Sequence, residues 1–181
     1  GASAVQVGTL KKAIAGPVDS RGKRVYPAFP WDAGVTAEGR APGLLTNAAA
    51  SFGPKYHETL DVDAVVDSAT ADGIQQLTDT VHWTDLNSFF AHGGKVLYYH
   101  GVSDPYFSAL DTLDYYQRMA AASDGMDKVR ADSSRLYIVP GMGHCRGGPS
   151  LDDFDLLGAV VDWVEKGKAP DFVVATGTSP R

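Results

Sequence analysis

Two short segments hold titratable residues in positions from which they could do chemistry. In His100-Gly-Val-Ser-Asp-Pro-Tyr-Phe107 an aspartate, Asp104, follows a short apolar run by four residues; in Pro140-Gly-Met-Gly-His-Cys145 a histidine, His144, follows another by five. An aspartate that reaches an imidazole holds it in one tautomer and stabilises its cation, while the ring takes a proton from a hydroxyl nucleophile. Asp104 and His144 therefore read as two-thirds of a Ser-His-Asp system, and neither supplies the attacking oxygen. Taken singly, each has an ordinary explanation. An aspartate after a strand caps helices and forms turns, and a histidine in a loop often only meets solvent.

Their order is what favours catalysis. Asp before His, after successive strands, matches the order Ser, Asp, His of α/β-hydrolases. The nucleophile in that order would precede Asp104 on a Gly-x-Ser-x-Gly turn, and no such pentapeptide occurs. Ser20, Ser51, Ser68 and Ser88 precede Asp104, but none sits between glycines after an apolar strand, and Ser103 reads as a turn residue. Cys145 directly follows His144, and side chains of sequence neighbours usually diverge, which disfavours a Cys-His nucleophile pair. Asp61 and Asp63, or Asp152, Asp153 and Asp155, lack an ion-loop signature and read as solvated surface or helix starts. His57, His82, His92 and His100 show no metal-ligand spacing and read as structural.

The elements that must position this pair are legible as patterns. Lys95-Val-Leu-Tyr-Tyr-His100, between Gly-Gly and Gly101, and Arg135-Leu-Tyr-Ile-Val139, before Pro140-Gly141, read as buried parallel strands. Between them residues 110–122 carry Leu113, Tyr116, Met119 and Ala120 on one helical face, completing a βαβ unit. Functional groups of such sheets gather at the carboxyl ends of the strands. Adjacent strands lie about 5 Å apart, so an Asp after one could meet a His after the next. Phe154, Leu157, Val160, Val161 and Val164 predict a further amphipathic helix, stopped at Gly167. Upstream, residues 4–15 read as a short helix. Residues 16–58, rich in Gly and Pro pairs, read as irregular chain, and residues 59–90 as short surface helices.

Composition excludes some partners. The formal net charge is -6, and the basic residues are scattered apart from the turn cluster Arg21, Lys23 and Arg24. Phosphate binding needs a concentrated basic face, so nucleic acid is not expected as a partner. No stretch approaches the roughly 18 apolar residues of a membrane span, so no membrane partner is expected either. The single cysteine, Cys145, excludes a disulfide closed within the chain.

At the level of motifs the resemblance is specific. Gly93-Gly-Lys-Val-Leu-Tyr-Tyr-His-Gly-Val-Ser-Asp-Pro-Tyr-Phe107 and Ile138-Val-Pro-Gly-Met-Gly-His-Cys-Arg-Gly-Gly-Pro149 resemble the C-terminal motifs of tannases and feruloyl esterases. Ser3-Ala-Val-Gln-Val7, Gly16-Pro-Val-Asp-Ser-Arg-Gly22 and Tyr26-Pro27 resemble the segment that follows the family's calcium-binding lid loop. The resemblance implies the C-terminal portion of an α/β-hydrolase fold, with residues 1–81 as the end of a lid domain and 82–181 as part of the catalytic domain. It implies hydrolysis of aromatic-acid esters such as a ferulate, a gallate or a hydroxyalkyl terephthalate, with Asp104 and His144 catalytic. Serine would come from a missing N-terminal part, which would also be a partner. In the family a Cys after the catalytic His pairs with a Cys before the Ser, so Cys145 is expected in a disulfide to that part. Calcium is implied in the missing lid segment, and a secreted or periplasmic location follows. Phe107 and Trp31 are expected at the substrate pocket, with Phe29 and Phe52 as further aromatics that face substrate or pack within the lid. The competing expectation is an inactive fragment or a module that binds an aromatic ligand or a partner without turnover. In either case part of a hydrolase sheet should expose a strand edge and apolar surface.

Overall fold

The computed structural model describes residues 1–32 and 60–177; Ser51, Phe52 and His57 lie outside the described residues. Helix α1 (Ala4–Ile14) starts on a reciprocal cap. The Ser3 hydroxyl accepts the Gln6 amide at 3.2 Å, and Gln6 Oε1 accepts the Ser3 amide at 2.8 Å. The chain leaves the helix through Gly16 at φ +78°, where a β-carbon would press on the Tyr26 and Pro27 carbonyls at 2.7 Å. Residues 17–32 form a strap in which, among the described residues, Val18 and Arg24 make one isolated antiparallel bridge. Asp19 organises its turn: Oδ1 accepts the amides of Arg21 at 3.0 Å and Lys23 at 2.8 Å, and the Arg21 guanidinium returns to Oδ2 at 3.1 Å. The basic cluster is thus the surface of a turn.

Among the described residues, the short helices α2 (Val62–Ala71), α3 (Gly73–Thr78) and α4 (Asn87–Ala91) lead to the sheet. Asp61 and Asp72 cap the first two through their carboxylates. Strand β1 (Val96–Gly101) then pairs in parallel with β2 (Ser134–Val139), residue for residue from Val96 opposite Ser134 to Gly101 opposite Val139.

Side chains alternate across a strand, and each face of this ribbon has its own cover. On one face Tyr98 and Leu136 pack on Tyr116, Met119 and Ala120 of α5 (Ala109–Ala122) and on Val129 of α6 (Met126–Asp132). Met119, with no exposed surface, is the centre of this core. On the other face Tyr99 meets Phe154 edge-on with ring centroids 5.3 Å apart. Trp163 of α7 (Leu156–Lys166) lies there under Lys95 and Arg135, 5.3 and 4.8 Å from its ring centre. This is an α/β arrangement of parallel strands flanked by helices.

Two elements differ from expectation. Phe154 belongs to strand β3 (Asp153–Phe154), antiparallel to β4 (Ala175–Thr176), rather than to the following helix. The helix begins only after Asp155, whose Oδ1 accepts the Gly158 amide at 2.7 Å and so fixes the first turn. Helix α6 was not expected, because Val129 is the one residue of its short span that is buried. Among the described residues β1 and β2 pair only with each other. Leu157, Val164, Phe172 and Val174 leave large apolar surfaces exposed.

Candidate active site

The loops after β1 and β2 are stitched together before they diverge. The Val102 amide donates to the Val139 carbonyl at 3.0 Å, extending the ladder, and the Ser103 amide donates to the Met142 carbonyl at 3.0 Å. Gly101 makes this possible, since a β-carbon there would collide with the Met142 and Gly143 carbonyls. The two loops are therefore in contact where Asp104 and His144 emerge.

Asp104 is 4% exposed and both of its oxygens are engaged. Oδ1 accepts the amides of Tyr106 at 2.8 Å and Phe107 at 3.0 Å, a turn that Pro105 restricts further. Oδ2 accepts Nδ1–H of His144 at 2.8 Å and lies 3.5 Å from Nε2 of His100. Burial pushes the Asp104 carboxyl up. The donors His100, His144, Phe107 and Tyr106 outweigh it and hold Asp104 well below the usual carboxylate range. The Asp stays anionic where an imidazole cation would need it.

His144 has a side chain 43% exposed, with its ring between Tyr106 and Phe107, whose centroids lie 5.3 and 5.5 Å away. Nδ1 is committed to Asp104, which leaves Nε2 as the nitrogen able to exchange a proton with a reactant. The ring faces a groove of about 380 Å³ that His100, Asp104, Phe107, Met142 and Cys145 also line. The structure thus brings together the two residues read from the sequence as catalytic and places Phe107 against them.

The other expected site residues fall differently. Phe29 is 7% exposed and packs beside Tyr26, so it belongs to the interior of the strap. Trp31 is 64% exposed. Its neighbour Asp32 accepts the hydroxyl of Ser103, which places the end of the strap beside the Asp104 turn. Ser103 is buried in that contact, and among the described residues no serine hydroxyl hydrogen-bonds to His144. Cys145 is a free, exposed thiol at φ +65°. The expected disulfide is corrected: Cys145 is the chain's single cysteine, and a bridge needs a second sulfur at bonding distance.

Of the candidate ion ligands, Asp61 and Asp155 serve as helix caps. Among the described residues no three His, Cys, Asp or Glu side chains gather as a metal site. The calcium expectation concerns a segment outside the described residues. Among those residues, too, no helix is long and apolar enough to cross a membrane. His82 pairs with Asp79, and His92 bonds the Ser88 carbonyl. His100, also read as structural, instead reaches the site. Its position at the end of β1, four residues before Asp104, was the available signal.

The model of the family described as tannase and feruloyl esterase matches residues 35–181. The mono(2-hydroxyethyl) terephthalate hydrolase of Piscinibacter sakaiensis is 36% identical over 98% of this chain and 36% of its own length. An uncharacterized esterase of Xanthomonas campestris is 29% identical over 96% of this chain and 39% of its own. The crystal structure of an esterase from Aspergillus oryzae shares the fold at a TM-score of 0.69 and 23% identity, covering 98% of this chain and 40% of that one. The chain thus spans two-fifths or less of the length of these proteins.

Proposed function

The chain belongs to the tannase and feruloyl esterase family, and from that premise we propose that it carries the acid–base half of a serine carboxylesterase acting on esters of aromatic acids such as ferulate or gallate. The observation that carries the reading is the 2.8 Å bond from His144 Nδ1 to a buried, doubly anchored Asp104. In this mechanism Asp104 holds His144 in the tautomer that leaves Nε2 free to act as base. Nε2 removes the proton from a serine hydroxyl supplied from outside these 181 residues, and that oxygen attacks the ester carbonyl. The same imidazolium then protonates the departing alcohol, leaving an acyl-serine that water releases by the reverse proton sequence.

The substrate class rests on the family and on local chemistry. Tyr106 and Phe107 flank the His144 ring and stay exposed, which suits them to an aromatic acyl group. Trp31, which does not line the groove itself, is exposed beside Asp32 at the end of the strap, and we infer that it meets the substrate from that side. The strap also contacts the loop that carries the acid: Ser108 donates its hydroxyl to the Ala28 carbonyl at 2.5 Å, and its amide bonds the Tyr26 hydroxyl at 3.0 Å. Residues 1–81 would then be the end of a lid over a catalytic domain that includes 82–181, in a secreted or periplasmic enzyme.

The test is hydrolysis of methyl ferulate and methyl gallate by the protein expressed from its full reading frame, wild type against His144→Ala. The expected result is turnover by wild type and a loss on the order of 10⁴–10⁶-fold in kcat for the variant. Equal rates, or no turnover of either ester by folded wild type, would sink the proposal.

A further inference from the structure

The mechanism above leaves one partly buried titratable group at the site, His100, unused. His100 is the penultimate residue of β1, its side chain is 14% exposed, and both ring nitrogens have partners. Nδ1 meets Thr112 Oγ1 of α5 at 2.6 Å, and Nε2 meets the Phe107 carbonyl at 3.1 Å and Asp104 Oδ2 at 3.5 Å. The two oxygens facing Nε2 only accept, so Nε2 carries the proton, and Nδ1 accepts from the Thr112 hydroxyl. The two oxygens thus set the tautomer, and Thr112 seats the ring by satisfying its other nitrogen.

We propose that His100, seated by Thr112, is a positioning residue that holds Asp104 in line with His144. The inference rests on the esterase reading of the Asp104–His144 pair. A carboxylate anchored only through Oδ1 can still displace its second oxygen by small concerted changes of its two side-chain torsions. The other ring on Oδ2 sits on a partly exposed loop. His100 sits on a paired strand and is tied to a helix, so it is the rigid side of the arrangement. Its bond to the Phe107 carbonyl acts on the same point from behind, because that residue's amide anchors Oδ1. At 3.5 Å the direct contact is at the outer limit of a hydrogen bond. The positioning therefore works through both legs of Nε2–H together.

The experiment is steady-state kinetics with methyl ferulate on protein expressed from its full reading frame, comparing His100→Leu, His100→Gln, Thr112→Val and His144→Ala. A misplacement near 1 Å is worth about 100-fold in rate. His100→Leu should therefore lose about 10–100-fold in kcat with KM within about twofold. His100→Gln, whose side-chain amide can still donate near Nε2, should recover most of the loss, and Thr112→Val should show a smaller loss with the same split. If His144→Ala abolishes turnover while His100→Leu and Thr112→Val keep wild-type kcat, positioning is refuted and the esterase reading stands. If His100→Leu loses activity and His100→Gln does not recover it, or if the loss appears in KM, the role is structural and the proposal fails. If His144→Ala matches wild type, the underlying reading fails with it.

Discussion

Replacing Asp104 with asparagine isolates the charge at the centre of the site while keeping its shape. Oδ1 accepts two backbone amides, from Tyr106 and Phe107. The asparagine carbonyl oxygen must take that position, since an NH2 there would face two donors. The NH2 then occupies the place of Oδ2 and points at His144 Nδ1, 2.8 Å away in wild type. Nδ1 can only accept from it, so the ring carries its proton on Nε2 and cannot serve as base. Loss of the correct tautomer by this route is worth about 10⁴-fold in kcat, or about 5 kcal/mol of transition-state stabilisation. His100 Nε2–H meets the same NH2 group, which adds a donor–donor conflict rather than relieving one. Initial rates on methyl ferulate measure the effect, and circular dichroism checks the fold. A folded Asp104→Asn protein within about tenfold of wild type would refute the reasoning.

Further outcomes follow from single contacts. Gly101→Ala places a methyl group on the Met142 and Gly143 carbonyls, which are backbone and cannot rotate away; a loss of about 1–3 kcal/mol in denaturant unfolding is expected, together with reduced turnover. Met119→Ala empties the centre of the core between α5 and the sheet and should destabilise by about 2–5 kcal/mol, read from the same unfolding curves. Burial alone would lower the pKa of His100, but the bonds to Asp104 and the Phe107 carbonyl outweigh it and hold the value above that of a free histidine. A folded pKa above the unfolded one contributes stability that is complete below about pH 6.5 and is lost as pH rises through the folded value. Thermal melts should accordingly show the advantage of wild type over His100→Gln narrowing as pH rises through that window.

The parts of the fold visible in the sequence were those with a strong local period. The runs at 95–100 and 135–139 are apolar, bounded by Gly or Pro, and separated by one helix, and they form β1 and β2 in parallel register. Asp104 and His144 could be paired from sequence because each follows its strand by a few residues. What escaped depended on longer-range or very short structure. Helix α6 buries only Val129 of its own residues, too little for a periodic signal. Phe154 continues the helical spacing of its neighbours, but the Asp155 cap and pairing with Ala175 place it in a strand. His100 was passed over because it was weighed only for metal-ligand spacing, while its place four residues before Asp104, near the end of β1, is what brings it to the carboxylate. Phe29 and Trp31, two residues apart, are buried and exposed respectively; no periodicity in that Pro-rich strap could separate them. The disulfide expected at Cys145 came from the resemblance and from its being a lone cysteine, and the thiol is free.

The most direct test of the central claim is a fluorophosphonate label read by intact mass and peptide mapping, on the protein expressed from its full reading frame, wild type and His144→Ala. An adduct on a serine outside these 181 residues, lost in the variant, is the expected result. An adduct on a serine within them, or equal labelling with and without His144, would contradict the account.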